Sequence, residues 1–334
     1  MQIFEKLKMK DPKNKNGISP FHNAALGGST EIYKYLVKNV KEINPADSYG
    51  YTPLFLASMI GHFDICKFII ENIDEKNPAN INGITPLYIA AQKGHYNICK
   101  LIIDNVNNKN PAINNGFTPL YIAAKNGHFD ICKLILDNVD NKNPANNGGY
   151  TPLYIAAQKG HYNICKIIID NVDEKNPANI NGTTPLYKAA QNGHFEICKL
   201  ILDNVDNKNP AINGGITPLH IAARNGYLDI CKLIIDHLDN KNPANNLGNT
   251  PLHLAAQNGH FEICNLFIDN IIQKNPENNK GYTPLYMAFQ NDNFEICKLI
   301  IDNVDDMSPV DNNGSLLAQN GFLGIFTFIY QLFF

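Results

Sequence analysis

The dipeptide Thr-Pro stands at Thr52, Thr85, Thr118, Thr151, Thr184, Thr217, Thr250 and Thr283, always followed by Leu and always 33 residues apart. A unit this short encloses no core of its own, so a chain that repeats it must stack the copies. Ser19-Pro20 keeps the same phase one step earlier. The eight cysteines from Cys66 to Cys297 and the prolines from Pro45 to Pro309 keep it too. Nothing interrupts the count between Asn14 and Val310, which gives nine consecutive units. The ordinary division of a 334-residue chain into globular domains gives way to one repeat array over 14–310, with a partial unit at 1–13 and a degenerate one at 311–334.

The unit spanning 179–211 illustrates the reading. Gly182 suits a turn that needs positive φ. Thr184 is placed to cap a helix, with Pro185 at the first helical position, where a missing N–H costs nothing. The apolar run Leu186 to Ala190 predicts a first helix, which Asn192-Gly193 ends. Ile197, Cys198, Leu200, Ile201 and Val205 are spaced for a second helix over about 195–205. Pro210 and the Asn-rich stretch around it stop the helix and lead into the next turn. The fold class expected is all-α, a solenoid of helix–turn–helix units joined by β-hairpin-like loops.

Thr-Pro-Leu-His-x-Ala in a 33-residue helix–turn–helix unit resembles the ankyrin repeat. Leu219-His220-Ile221-Ala222-Ala223 and Leu252-His253-Leu254-Ala255-Ala256 carry the likeness most closely. The resemblance implies a curved stack with the hairpin tips and first helices lining a concave face. It departs from the pattern in three ways. The signature His is Tyr at Tyr88, Tyr121, Tyr154, Tyr187 and Tyr286, and Phe at Phe55. The glycine usual after the second helix is Ile73, Val106, Val139, Val172, Val205, Leu238, Ile271 or Val304. A longer second helix is therefore expected, with the preceding Asn left-handed at its end. The next apolar position of the family pattern is polar, as at Lys109 and Lys208, and the shifted valine is expected to take over its packing.

Hydrophobic content of 44% supplies a continuous core, and the net charge is −3. Lys and Arg are spread rather than clustered, so the basic stripe that nucleic acid requires is missing. Met1 to Lys10 has no apolar stretch of the signal-peptide kind. A cytoplasmic, reducing environment is expected, with the cysteines as small buried hydrophobes. Adjacent cysteines sit on helices about 8–10 Å apart, too far for a disulfide. The spacing His-x-x-x-Cys, as at His128/Cys132, offers two metal ligands on one helix face. A regular stack holds such pairs apart, however, and the His is expected to close the turn between the helices. No phosphate-cradling loop, nucleophile elbow or acid–base–nucleophile trio occurs, so no enzyme, cofactor or metal is expected.

The two ends differ from the array. Ile3, Phe4 and Leu7 are suited to cover its N-terminal end. The segment Leu316 to Phe334 carries no charge. It reads as a degenerate last helix, as the stump of a truncated chain, or as a membrane-inserting tail. Membrane contact is expected only through that segment, and self-association through it is open. The function expected is protein binding on the concave face. The alternatives are a membrane-tethered adaptor and the regulatory region of a larger enzyme.

Partner choice must lie where units differ, since some stretches are copies: Ile89 to Lys100 repeats as Ile155 to Lys166. The residue before each Thr varies most, as in Tyr51, Ile84, Phe117, Tyr150, Ile216 and Tyr282. A row of exposed rings there is typical of binding hot spots, or else each ring packs on a neighbouring hairpin. The end of the first helix varies next, with Lys125 and Arg224 among its polar residues. One unit has Met59-Ile60 at that place, near Tyr49, Tyr51 and Phe55, and this apolar cluster is the strongest single contact site expected.

Overall fold

A computed structural model describes residues 13–38 and 40–304. The expectations for Ile3, Phe4 and Leu7 and for Leu316 to Phe334 fall outside the described residues. The described residues hold eighteen α-helices and no strand. The chain divides into two compact units, Met1–Ala156 with Asn163–Asp173, and Ala157–Tyr162 with Glu174–Phe334.

Each first helix is closed at both ends by the residues that recur. In Pro119–Asn126 the Thr118 hydroxyl accepts from the Tyr121 N–H at 3.2 Å, Pro119 opens the first turn, and Gly127 ends it at φ 78°. One more orphan donor is met from far upstream. The Asn110 side chain accepts from the Leu120 N–H at 2.9 Å, and Asn44, Asn77, Asn143, Asn209 and Asn242 do the same for Leu54, Leu87, Leu153, Leu219 and Leu252. The Asn before each Pro is thus a cap for the next first helix as well as part of a helix stop.

Phe63–Asn72 and Phe261–Asn270 run up to Ile73 and Ile271 as expected, but other second helices are shorter. Phe195–Leu202 stops short of Val205, as Phe129–Leu136 stops short of Val139. The Asn that follows is not left-handed: Asn105 has φ −114°, and Asp292 is the one non-glycine with positive φ among the described residues. That Asn works instead through its side chain, which donates back to the carbonyl four residues earlier. Asn105 reaches Leu101 and Asn138 reaches Leu134, at 2.8 and 2.9 Å. The polar lysine is also a cap. The Lys109 ammonium donates to the Ile103 carbonyl at 2.6 Å, and Lys142 and Lys208 do the same for Leu136 and Leu202. A cation on the open carbonyls at a helix C-terminus is favourable twice over, as donor and as charge against the dipole. The valine beside it is only half-buried.

Within each compact unit first helices pack on first helices and second on second. Leu87, Ile102, Leu120 and Ile135 fill the core of one, and Leu219, Ile234, Leu252 and Phe267 that of the other, all fully buried. Hairpins join their neighbours through single backbone bonds, such as Ile81 N–H to the Tyr49 carbonyl and Asn246 N–H to that of Gly214. The histidine opening the second helix bridges repeats rather than closing its own turn. His128 Nε2 donates to the Gln92 carbonyl at 3.2 Å, and its ring lies against Gly94. The turn itself is closed by the backbone, His128 N–H to the Ala123 carbonyl.

Asp292, at φ 56°, stands where other first helices end in glycine. A β-carbon in that region is strained. Asp292→Gly is therefore expected to gain about 1 kcal/mol, read as a higher urea midpoint by far-ultraviolet circular dichroism.

Candidate functional site

The residue before each N-cap Thr sits one helical turn from the residue that replaces the signature His. Four of these pairs are aromatic, and their rings meet within a single repeat. Tyr51 lies 4.8 Å from Phe55, Phe117 4.5 Å from Tyr121, Tyr150 5.0 Å from Tyr154 and Tyr282 4.6 Å from Tyr286, between ring centroids. Such contacts are worth roughly 0.5–1.5 kcal/mol beyond area burial. Tyr51, Ile84, Phe117, Tyr150, Ile216 and Tyr282 are half-buried, not a fully exposed row, and each of the four rings leans on an aromatic of its own first helix. In the first compact unit the phenols approach one another. Burial first, then the neighbouring Tyr88 and Tyr150, push Tyr121 up to about 12.

Where the signature His remains, it has a different task. His220 Nδ1 accepts from the Thr217 N–H at 3.2 Å, which leaves the proton on Nε2 to donate to the Asn249 carbonyl at 3.1 Å. His253 makes the matching pair with Thr250 and the Tyr282 carbonyl. Each links one hairpin to the next. Desolvation drives both histidines down to about 4, despite the raising effect of those carbonyls. They are neutral structural bridges.

The expected apolar cluster is partly assembled. Tyr49 lies 6.5 Å from Tyr51, which lies on Phe55. Met59 follows Phe55 on the same helix face and is half-buried, its carbonyl taken by His95. Tyr49 and Ile60 are the exposed members, at 56% and 46%. Lys125 and Arg224 are exposed. The apolar residues most open to solvent on the hairpins were not singled out in the sequence: Ile81, Ile180 and Leu247 are 62%, 72% and 64% exposed. The signal was present in the turn-forming Asn80, Asn179 and Asn245. Each bends the backbone around its own side-chain oxygen and so turns the next residues outward.

The cysteines are all buried with free thiols. Burial raises them, Cys99 and Cys198 to about 12, so they are neutral and unreactive. The described residues contain no group of three His, Cys, Asp or Glu side chains arranged for a metal ion. They contain no helix long and apolar enough to cross a membrane.

Short capped helix pairs at a fixed period, each buried against the next, define a helical repeat protein. The family model of ankyrin repeats in three copies matches residues 2–79, 71–144, 107–178, 170–245 and 219–313. The chain belongs to the ankyrin-repeat family. Ankyrin repeats are in general protein-interaction modules, and the family is typically non-enzymatic. No curated protein matches this chain.

Proposed function

We propose that residues 14–310 form a non-enzymatic protein-binding module whose partner lies on the hairpins and first helices. Its strongest contact is the cluster Tyr49, Tyr51, Met59 and Ile60. The observation that carries this reading is a contrast between sister repeats. Where Gln92-Lys93 and Lys125-Asn126 end their first helices in polar residues, the same two positions hold Met59 and Ile60, and Ile60 is open to water. The core does not need a large exposed apolar side chain there, whereas an interface gains from one. Tyr51 is already held against Phe55, so a partner would meet a ring whose freedom is largely lost, which favours binding.

The test compares proteins captured by the full chain with those captured by a Tyr51→Ala, Met59→Ala, Ile60→Ala variant of matched helicity. A specific partner retained by the parent and reduced at least tenfold with the variant is the expected outcome. Equal retention by both would place the interface elsewhere on the chain.

A further inference from the structure

Charge is distributed unequally between the two helices of the repeat. From Thr52 to Gly259, every stretch running from the N-cap Thr of a first helix to its closing Gly lacks Asp and Glu. The same stretches carry Lys93, Lys125, Lys159, Lys188 and Arg224. The carboxylates stand mainly on the second helices and the loops after them, with Asp292 at the end of the last first helix as an exception. Asp64, Asp130, Glu196, Asp229, Glu262 and Glu295 occupy first turns, and Asp104 and Asp170 pair with Lys100 and Lys166 in last turns. Among the hairpins Asp47 is acidic, but its side chain is turned into the loop, accepting from the N–H groups of Tyr49 and Tyr51. A chain of net charge −3 therefore presents first helices whose only charges are positive.

The helix dipole accounts for a cation in a last turn. It also disfavours an acid in a last turn, but it does not account for Lys188, which lies within its helix, nor for the absence of acids from the first turns, where the dipole would favour them. The cations also stand on helices packed side by side, and two of them lie beside a ring. In the first compact unit Lys93 and Lys125 end successive packed helices, linked by Asn126 Nδ2 donating to the Gln92 carbonyl at 2.9 Å. In the second, the Lys188 ammonium lies 5.9 Å from the Tyr187 ring and donates to Gln191 Oε1 at 2.7 Å. Arg224, on the next packed helix, acts electrostatically on the Tyr187 phenol, and Asn225 donates to the Gln191 carbonyl. The second unit thus has two cations beside the Tyr187 ring, and the first carries cations on successive first helices.

We infer that this face takes an acidic polypeptide segment. Its Asp or Glu side chains pair with Lys93 and Lys125, or with Lys188 and Arg224, while its apolar side chains rest on the tip residues. This inference rests on the binding face proposed above and names the chemistry of its partner. Positive groups spaced along one face steer a negative chain on approach and set its register, and salt screens that attraction. Like-charged segments are repelled, which gives the specificity that near-identical repeats lack in shape alone.

The probe is a displayed library of random 16-residue peptides selected on the full chain, with the recovered pool sequenced. Asp and Glu are expected at twice their frequency in the unselected library or more. Pool binding should fall at least fivefold between 50 and 300 mM NaCl. A Lys93→Gln, Lys125→Gln, Arg224→Gln variant of unchanged helicity should return the acidic content to the library level. A pool without acidic enrichment, or no recovered pool, overturns the inference. So does tighter binding of a mixed-sequence 20-nucleotide single-stranded DNA, which would make the face a nucleic-acid surface. Loss of pool binding in the Tyr51→Ala, Met59→Ala, Ile60→Ala variant without acidic enrichment sinks the charge assignment alone. A pool indifferent to both variants sinks the binding face itself.

Discussion

Between pH 6.5 and pH 4 the second compact unit is expected to lose roughly 3 kcal/mol of stability for each of His220 and His253. Both imidazoles are completely buried and neutral, each accepting at Nδ1 and donating at Nε2. A proton on Nδ1 would break its bond to the N-cap N–H and place an unpaired charge in the core. Unfolded, the same histidines protonate near 6.5; folded, near 4. The folded chain therefore binds fewer protons across that window. The stabilisation is complete above 6.5 and is lost as the pH falls towards 4.

Urea denaturation at pH 7, 5.5 and 4.5 measures the effect. His220→Tyr with His253→Tyr isolates it, because sister repeats already hold Tyr88 and Tyr187 at this position in buried form. The variant is expected to be about 1 kcal/mol per site weaker at pH 7, having lost the bonds between hairpins. It should also be flatter with pH than the parent. Equal pH slopes in parent and variant would show that the histidines do not carry the acid sensitivity.

The second large effect is expected from Gly94→Ala, at about 2–3 kcal/mol of destabilisation, combining left-handed strain with displacement of a packed ring. Gly94 has φ 84°, and a β-carbon there would stand 2.8 Å from His128 Cε1. His128 is held in place by the Gln92 carbonyl, so the ring moves only by breaking the link between repeats. Gly27→Ala, where φ is not left-handed and nothing lies within 4 Å, is the matched control and should change little. Midpoints shifted alike by both substitutions would contradict this account of the Gly-His pair.

The period, the Thr-Pro caps and the buried positions were legible because each is a local rule repeated in phase. Thr118 and Pro119 act within one turn of their own helix, and a single unit reveals them. Asn110 was not legible as a cap, since its partner Leu120 lies ten residues on, across a loop whose path the sequence does not specify. Lys109 read as a broken apolar position because the family pattern expects a side chain in the core. Its long stem instead brings the ammonium back to the carbonyls of the helix just ended. The tip rings were legible as a set but not in their exposure. Tyr51 and Phe117 are four residues from the aromatic that replaced the signature His, and each pair closes on itself. The sequence expectation had them either as an exposed row or packed on neighbouring hairpins, and did not look within the repeat. The charge asymmetry was present throughout in the stretches from Thr to Gly, and whole-chain composition averaged it away.

The central claim, that the hairpins and first helices are the binding face, is tested most directly by site-specific photocrosslinking. A benzophenone amino acid is placed at Tyr51 or Ile60, and in separate proteins at Tyr96 or Phe63, which open second helices and are also exposed. The account predicts discrete crosslinked partner bands from Tyr51 and Ile60, suppressed by excess unlabelled parent, and none of those bands from Tyr96 or Phe63. The same bands from the second-helix positions, with none from Tyr51 or Ile60, would contradict it.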